Sequence, residues 1–289
     1  MASCLRKEVM KLALVQLKVT ADKAQNLKRA CAKIEEACKV GGADLVCLPE
    51  CFNSPYGTQH FADYAETIPG SSTETLASAA KDNSCFLVGG SIPERDKSGK
   101  LFNTACVFNP SGEMLGKFRK LHLFDIDIPG KIRFIESEVL TAGNETLTFG
   151  VPMKNKTLKI GVGICYDLRF PALANLYRQQ GCHLILYPGA FNMTTGPLHF
   201  ELLQRARASD NQLYVAACSP ARDEASGGYV AWGHSSVVDP WAKVISKAEA
   251  SETIIYADVD PDELENTRNS IPILNQMRLD LYTESSPVN

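Results

Sequence analysis

Leu158-Lys-Ile-Gly-Val-Gly-Ile-Cys165-Tyr-Asp-Leu-Arg-Phe-Pro171 is the stretch from which the fold is read. Its first half is rich in Ile and Val and carries two glycines, the composition of a buried strand whose backbone is closely approached. That strand stops at Cys165, and Pro171 suits the first turn of a helix running to Gln180 before Gly181. A cysteine between strand and helix sits on a sharp corner, lifted out of the packing. Backbone N–H groups and the positive end of the helix are expected to favour its thiolate, the form that attacks a carbonyl carbon. Cys165 is one of ten cysteines, and free cysteine is among the most buried residue types. The polar company of Tyr166, Asp167 and Arg169 separates it from a core cysteine, because a buried strand does not tolerate such groups unpaired. Cys165 is therefore read as a nucleophile.

Working outward, 289 residues with 45% hydrophobic content can bury a large core. A net charge of −3 offers nucleic acid and acidic membranes no electrostatic attraction. No apolar run approaches the roughly 20 residues of a membrane span, and Met-Ala-Ser-Cys-Leu-Arg-Lys-Glu-Val at the start lacks the apolar core of a secretion signal. A cytoplasmic protein is expected, with a mitochondrial pool possible. The cysteines are scattered without C-x-x-C pairs or a His-rich neighbour, so free thiols and no metal site are expected.

Residues 10–17 read as a strand and 22–40 as a helix, with Leu27, Ala30, Cys31, Ile34, Ala37 and Cys38 on one face. A strand at 44–49 follows, then a helix at 72–82 with Ser71 and Glu74 spaced as a capping box, and a strand at 85–89. Residues 104–108 and 113–119 flank Asn109-Pro-Ser-Gly112 as an antiparallel hairpin. A long irregular segment leads to the strand near Leu158. Strands at 183–187, 212–218, 230–238, 243–246 and 253–259 and helices from 197 and near 262 complete the chain. No linker divides it, so residues 1–289 are read as a single domain. Strand–helix–strand ending in Cys47-Leu-Pro-Glu50 echoes strand–helix–strand ending in Leu186-Tyr-Pro-Gly189. Alternating elements plus hairpins imply a four-layer α-β-β-α sandwich, two mixed sheets with helices on the outer faces. Ligand sites in such folds gather where strand ends meet loops, the position of Glu50, Cys165 and Pro188.

Glu50 closes an apolar strand, where a low dielectric would raise its pKa toward that of a working base. Lys120 ends the hairpin strand in Lys117-Phe-Arg-Lys-Leu-His-Leu-Phe124, and Glu136 lies in Arg133-Phe-Ile-Glu-Ser137. Taken alone, Glu50 also fits an exposed carboxylate capping a turn and Lys120 a solvated strand end, and Glu136 is a weaker carboxylate of the same sort. Among the five histidines nothing in the composition singles out a base for Cys165. The phosphatase spacing fails, because Arg169 is only four positions beyond the cysteine.

Taken together, Leu48-Pro-Glu50, Arg119-Lys-Leu-His-Leu123 and Gly163-Ile-Cys-Tyr-Asp-Leu-Arg169 resemble the Glu-Lys-Cys motifs of the nitrilase (carbon–nitrogen hydrolase) superfamily, over about residues 10 to 282. Pro49-Glu-Cys-Phe-Asn-Ser-Pro-Tyr-Gly57, His122-Leu-Phe-Asp-Ile-Asp-Ile-Pro-Gly-Lys131 and Tyr187-Pro-Gly-Ala-Phe-Asn-Met-Thr-Thr-Gly-Pro197 are similar to its omega-amidase branch. The resemblance implies hydrolysis of the terminal amide of 2-oxoglutaramate and 2-oxosuccinamate through a cysteine thioester, without a cofactor. It implies Glu50 as general base, Lys120 as the cation on the oxyanion side, Cys165 as nucleophile and Glu136 as the carboxylate orienting the lysine. It also implies a homodimer packed through helices.

Another branch of the superfamily (a nitrilase, carbamoylase or different amidase) and an idle binding scaffold are the competing readings. A small-molecule half-amide needs a cation or N–H groups for its far carboxylate. Arg169 is the first candidate, and an ion pair with Asp167 or another carboxylate that braces the helix start is its equal alternative. Tyr56, Phe124, Tyr166, Phe191 and Thr194 are the candidates for shaping the pocket, and the segment 124–131 reads as a loop covering it.

Overall fold

The computed structural model describes residues 8–130 and 132–282. Six strands come first: β1 Met10–Gln16, β2 Leu45–Cys47, β3 Phe86–Val88, β4 Ile92–Arg95, β5 Leu101–Phe108 and β6 Met114–Arg119. A separate two-stranded hairpin follows, β7 Asp125–Ile128 and β8 Ile132–Ile135. The second sheet is built from β9 Leu147–Pro152, β10 Thr157–Val162, β11 Leu184–Pro188, β12 Tyr214–Cys218, β13 Ser236–Val238 and β14 Val244–Lys247. The last strand, β15 Thr253–Val259, returns to the first sheet as the antiparallel neighbour of β1. The first sheet runs β15-β1-β2-β3-β5-β4, with β6 also paired to β5, and the second runs β14-β13-β12-β11-β10-β9. At the centre of each sheet three strands are parallel, β1-β2-β3 and β10-β11-β12. This is the internal echo visible in the sequence.

Strand alternation assigns the layers. Along β1, Leu12 and Leu14 join Leu45, Cys47, Leu158, Ile160, Val162 and Leu186 in the core between the sheets. The intervening Ala13 and Val15 face outward against Ala30, Ile34 and Ala37 of the helix Lys23–Lys39 and Leu76, Ala79 and Ala80 of the helix Ser71–Asp82. The helices Pro171–Gln179 and Gly196–Asn211 contribute Leu173, Ala174, Tyr177, Phe200 and Ala208 to the second sheet's packing. The sheets are also joined by the Cys218 thiol, which donates to the carbonyls of Val15 and Cys47, 3.3 Å from each. The four-layer α-β-β-α arrangement expected from the sequence is the one observed.

Several local expectations change. The helix Ser71–Asp82 is not capped by Ser71 and Glu74. The Gly70 N–H donates to Thr73 Oγ1, and Glu66 reaches over to accept from Ser71 Oγ and the Ser72 N–H. The irregular stretch before Leu158 contains β7, β8 and β9, and of the segment 124–131 residues 125–128 are one arm of a hairpin rather than a loop, with residue 131 outside the described residues. In Asp125-Ile-Asp-Ile128 the alternation is short and half exposed, so its periodicity is weak. The strand expected at 230–238 shrinks to Ser236–Val238. β4 carries a proline, which demotes a run as a strand candidate but is tolerated at the sheet edge β4 occupies.

Candidate active site

Glu50, Lys120, Glu136 and Cys165 come from four segments far apart in sequence and meet at the ends of β2, β6, β8 and β10. The three residues after β2 carry Glu50 into the interior, where it is fully buried. Its Oε1 accepts from Asn103 Nδ2 at 2.8 Å and from Lys120 Nζ at 3.0 Å. Its carboxylate is also within hydrogen-bonding reach of the Cys165 thiol. Lys120 is 1% exposed, follows β6 directly and is held by main-chain bonds to the Asn103 carbonyl and the Gly143 N–H. Its Nζ is also 3.0 and 2.9 Å from the two oxygens of Glu136. Glu136 opens a short 3-10 turn directly after β8. Tyr56 Oη donates to its Oε1 at 2.7 Å and the Phe124 N–H to its Oε2 at 2.7 Å. A lysine buried between two carboxylates is a charge network rather than a surface bridge, and its geometry holds the ammonium rigidly.

Cys165 adopts φ = 46°, the left-handed region, on the corner between β10 and the turn Cys165–Arg169. A non-glycine residue held there is strained, and such strain gathers at functional sites. Two glycines permit the corner: a Cβ on Gly163 would come within 2.5 Å of the Tyr187 ring, and one on Gly189 within 3.3 Å of Cys165 Cα. The Ala190 N–H donates to Cys165 Sγ at 3.4 Å. The turn is tied down by Asp167, fully buried, which accepts from the Ile164 and His122 N–H groups and meets His122 Nδ1 at 2.7 Å. Arg207 anchors the other end through the carbonyls of Leu168 and Arg169.

Protonation at this site departs from the sequence-based expectation. Burial pushes the Cys165 thiol well above its ordinary range, Glu50 raises it further, and the pull of Lys120 does not compensate. The thiolate is not preformed: the loss of water around sulfur outweighs the amides and the helix end. Burial also raises Glu50, with Lys120 opposing and Glu136 adding to the rise. For Lys120, burial works against the charged form, but Glu136 and Glu50 outweigh it and hold the ammonium well above its usual pKa. The resting site thus holds a permanent cation, a neutral thiol and a carboxyl group close enough to perturb that thiol. Such an arrangement can pass a proton from sulfur to Glu50 as sulfur attacks, and present the ammonium to negative charge on oxygen.

Phe124, Tyr166, Arg169 and Phe191 line a small pocket with Cys165, together with Ala190, Thr195 and Tyr229. Tyr56 lines a larger cleft with Glu50 and stacks on Phe134 at 5.3 Å between ring centroids. Thr194 does not reach the pocket. Its N–H and that of Thr195 both bind Asn192 Oδ1, and it is Thr195 that lines the pocket. The ion pair considered for Arg169 with Asp167 is absent, because His122 occupies that carboxylate. Arg169 instead lies 5.1 Å over the Phe191 ring and 5.7 Å over Tyr166, with Nη1 3.2 Å from His199 Nδ1. Among the described residues it makes no ion pair.

Sequence reasoning missed Asn103, Tyr229, Phe134 and Ala190. Asn103 alone left a trace, a polar side chain inside the apolar run Leu101–Phe108. Tyr229, whose hydroxyl donates to the Ala190 carbonyl, stands in a loop with no pattern to mark it.

The carbon–nitrogen hydrolase family profile matches residues 11–269. Omega-amidase NIT2 of Mus musculus is 59% identical over 276 residues, covering 96% of this chain and 98% of that protein. Omega-amidase NIT2 of Homo sapiens is 55% identical over 272 residues, covering 94% and 96%. Saccharomyces cerevisiae Nit3, a solved structure described as a member of branch 10 of the nitrilase superfamily, superposes with a TM-score of 0.84 at 44% identity, covering 96% of this chain and all of that one. A buried carboxylate, ammonium and thiol on this sandwich, with likeness running almost end to end, place the chain in the carbon–nitrogen hydrolase family.

Proposed function

We propose that this chain is an omega-amidase, hydrolysing the terminal amide of 2-oxo dicarboxylate half-amides such as 2-oxoglutaramate and 2-oxosuccinamate to the 2-oxo acid and ammonia. The observation that carries this reading is the pairing of two features: the thiol of Cys165 beside Glu50 and Lys120, and a guanidinium without an ion-pair partner in the same pocket. The first is equipment for splitting an amide. The second is equipment for holding the carboxylate at the substrate's other end.

In this mechanism Glu50 takes the thiol proton as Cys165 Sγ attacks the amide carbon. Lys120 and the backbone N–H after Cys165 hold the oxygen of the tetrahedral intermediate; losing one donor of this kind costs about 10²–10³ in rate. Glu50 returns the proton to nitrogen, the C–N bond breaks, ammonia departs and a thioester remains. Water then attacks the thioester, giving its proton to Glu50. The C–S bond breaks and sulfur recovers that proton as the acid leaves. Glu136 and Tyr56 keep the ammonium on its axis throughout.

Ammonia release from half-amides, nitriles and N-carbamoyl compounds tests the substrate class, with half-amides expected to be turned over best. In the same panel Arg169→Lys is expected to lower kcat/KM for dicarboxylate half-amides by about tenfold or more, as for loss of a bidentate contact, and neutral amides much less. Equal losses on both would remove Arg169 as the anchor.

We also propose that the chain pairs as a homodimer. Leu198 and Leu202, one turn apart on the helix Gly196–Asn211, are 67% and 61% exposed, an apolar strip suited to a second helix. A monomer mass by light scattering at micromolar concentration would reject it.

A further inference from the structure

A single residue of β5 holds both the base and the cation. Asn103 is fully buried, opposite Pro93 of β4 on one side and level with Lys120 on the other, one step beyond the Thr104–Arg119 pair. Farther along β5, Ala105 and Val107 point into the core between the sheets, while Cys106 and Phe108 face the outer helices. By the same alternation Asn103 projects toward the inter-sheet side, where Cys165 arrives from the second sheet. Its carbonyl accepts the Lys120 N–H at 2.9 Å, and its Nδ2 donates to Glu50 Oε1 at 2.8 Å. Lys120 Nζ donates to that same oxygen at 3.0 Å. With Oε1 engaged twice, the second oxygen is the one left to receive the thiol proton. Asn103 lines neither cavity of the site, so it is not placed to touch substrate. Packing does not explain it either. Its Oδ1 is buried with no hydrogen-bond partner among the described residues, a cost that an apolar side chain would not carry.

We propose that Asn103 is a positioning residue for the general base: its amide N–H pins one oxygen of Glu50 and turns the other to the Cys165 thiol, while its main chain sets Lys120 alongside. The inference rests on the amidase reading and deepens it by adding a residue that acts through Glu50. An ionised carboxylate only accepts, so the amide presents its NH₂ end, and a donor aimed at the charged form favours that form. Lys120 acts on Glu50 in the same direction, against burial and Glu136. The Cys165 thiol meets Glu50 as well, and Cys51, Tyr56 and Tyr229 also feel its charge. An N–H on Oε1 further makes the protonated acid readier to return its proton to the leaving nitrogen. Asn103 thus serves both proton transfers at a distance from the reacting bond.

Asn103→Leu tests this, because it keeps the branched shape and the main-chain bond to Lys120 and removes only the amide. On a half-amide, the acid limb of the kcat/KM–pH profile should move up by about one unit, as for loss of a hydrogen bond to a charged group. The plateau above that limb should fall about tenfold, since the base there is ionised but no longer aimed. Difference infrared spectra against Glu50→Gln, taken without substrate, should show the protonated carboxyl persisting to correspondingly higher pH. The thermal midpoint should stay within about 4 °C of the wild type, because an unpartnered acceptor leaves with the amide. Asn103→Ala, which cannot overfill the site, guards against a leucine that disturbs β5 and is expected to repeat the shift. A folded variant whose acid limb and carboxyl titration both stay at the wild-type pH would overturn the proposal, whatever its plateau, and would leave Asn103 a structural residue. Wild-type protein releasing no ammonia from any half-amide would instead strike down the amidase reading, and the infrared titration would still judge the hold of Asn103 on Glu50.

Discussion

Cys165→Ala is expected to reduce amide hydrolysis by roughly 10⁶-fold, the scale seen when a nucleophile is removed, while the protein stays folded. The substitution deletes one sulfur from a site that is 5% exposed and leaves the Ala190 N–H without its acceptor. The stability cost should therefore stay within about 2 kcal/mol. Alanine tolerates the left-handed corner no worse than cysteine, since both carry a Cβ. Ammonia release and the thermal midpoint, measured on one metal-free sample, check both halves. Turnover persisting near the wild-type rate would take Cys165 out of the mechanism. The raised thiol pKa adds a condition: wild-type Cys165 should alkylate slowly at neutral pH and faster as pH rises.

Lys120→Met should abolish acyl-enzyme formation and, unlike Cys165→Ala, destabilise the fold. Lys120 Nζ is the shared partner of Glu50 and Glu136. Without it two buried carboxylates face each other with no cation, and breaking a buried pair in this way costs about 3–5 kcal/mol. Because Lys120 lowers the Glu50 pKa, its removal lets burial and Glu136 push that carboxyl higher still. The working base is the ionised form, so acylation in the wild type should rise with pH through the elevated Glu50 pKa. Any residual activity of the variant should need a higher pH. Adding Glu136→Gln to Lys120→Met should recover part of the stability by removing one charge, yet recover no activity. That contrast separates an oxyanion role from a merely structural one. Thioester formation at the wild-type rate in Lys120→Met would contradict the assignment.

The fold was legible wherever periodicity was strong. Residues 10–17 and 253–259 are short apolar runs bounded by polar residues, and the strands Met10–Gln16 and Thr253–Val259 are found there nearly to the residue. The helix Lys23–Lys39 follows from its apolar stripe, and the structure adds its cap, Asp22, whose side chain accepts from the Gln25 N–H. The hairpin Asp125–Ile135 escaped because its strands rest on a site rather than on a core, and the Tyr56, Phe124 and Phe134 rings that it helps to gather meet only in three dimensions. Thr194 and Thr195 show the finest limit. Both are threonines in one loop, and only the turn built on Asn192 decides which of them faces the pocket.

By itself, then, the amino-acid order determined the layers of the sandwich and singled out the candidate groups, because strand and helix periods are local and three short motifs carry the acid, the amine and the sulfur. Only the tertiary structure decided their electrical state and company. Burial beside Glu50, brought from elsewhere in the chain, raises the thiol's pKa where the adjacent helix end alone argued for thiolate. His122, arriving from beyond β6, takes Asp167 and leaves Arg169 facing the pocket. Desolvation and partner choice belong to neighbours distant along the chain, and no window of sequence contains them.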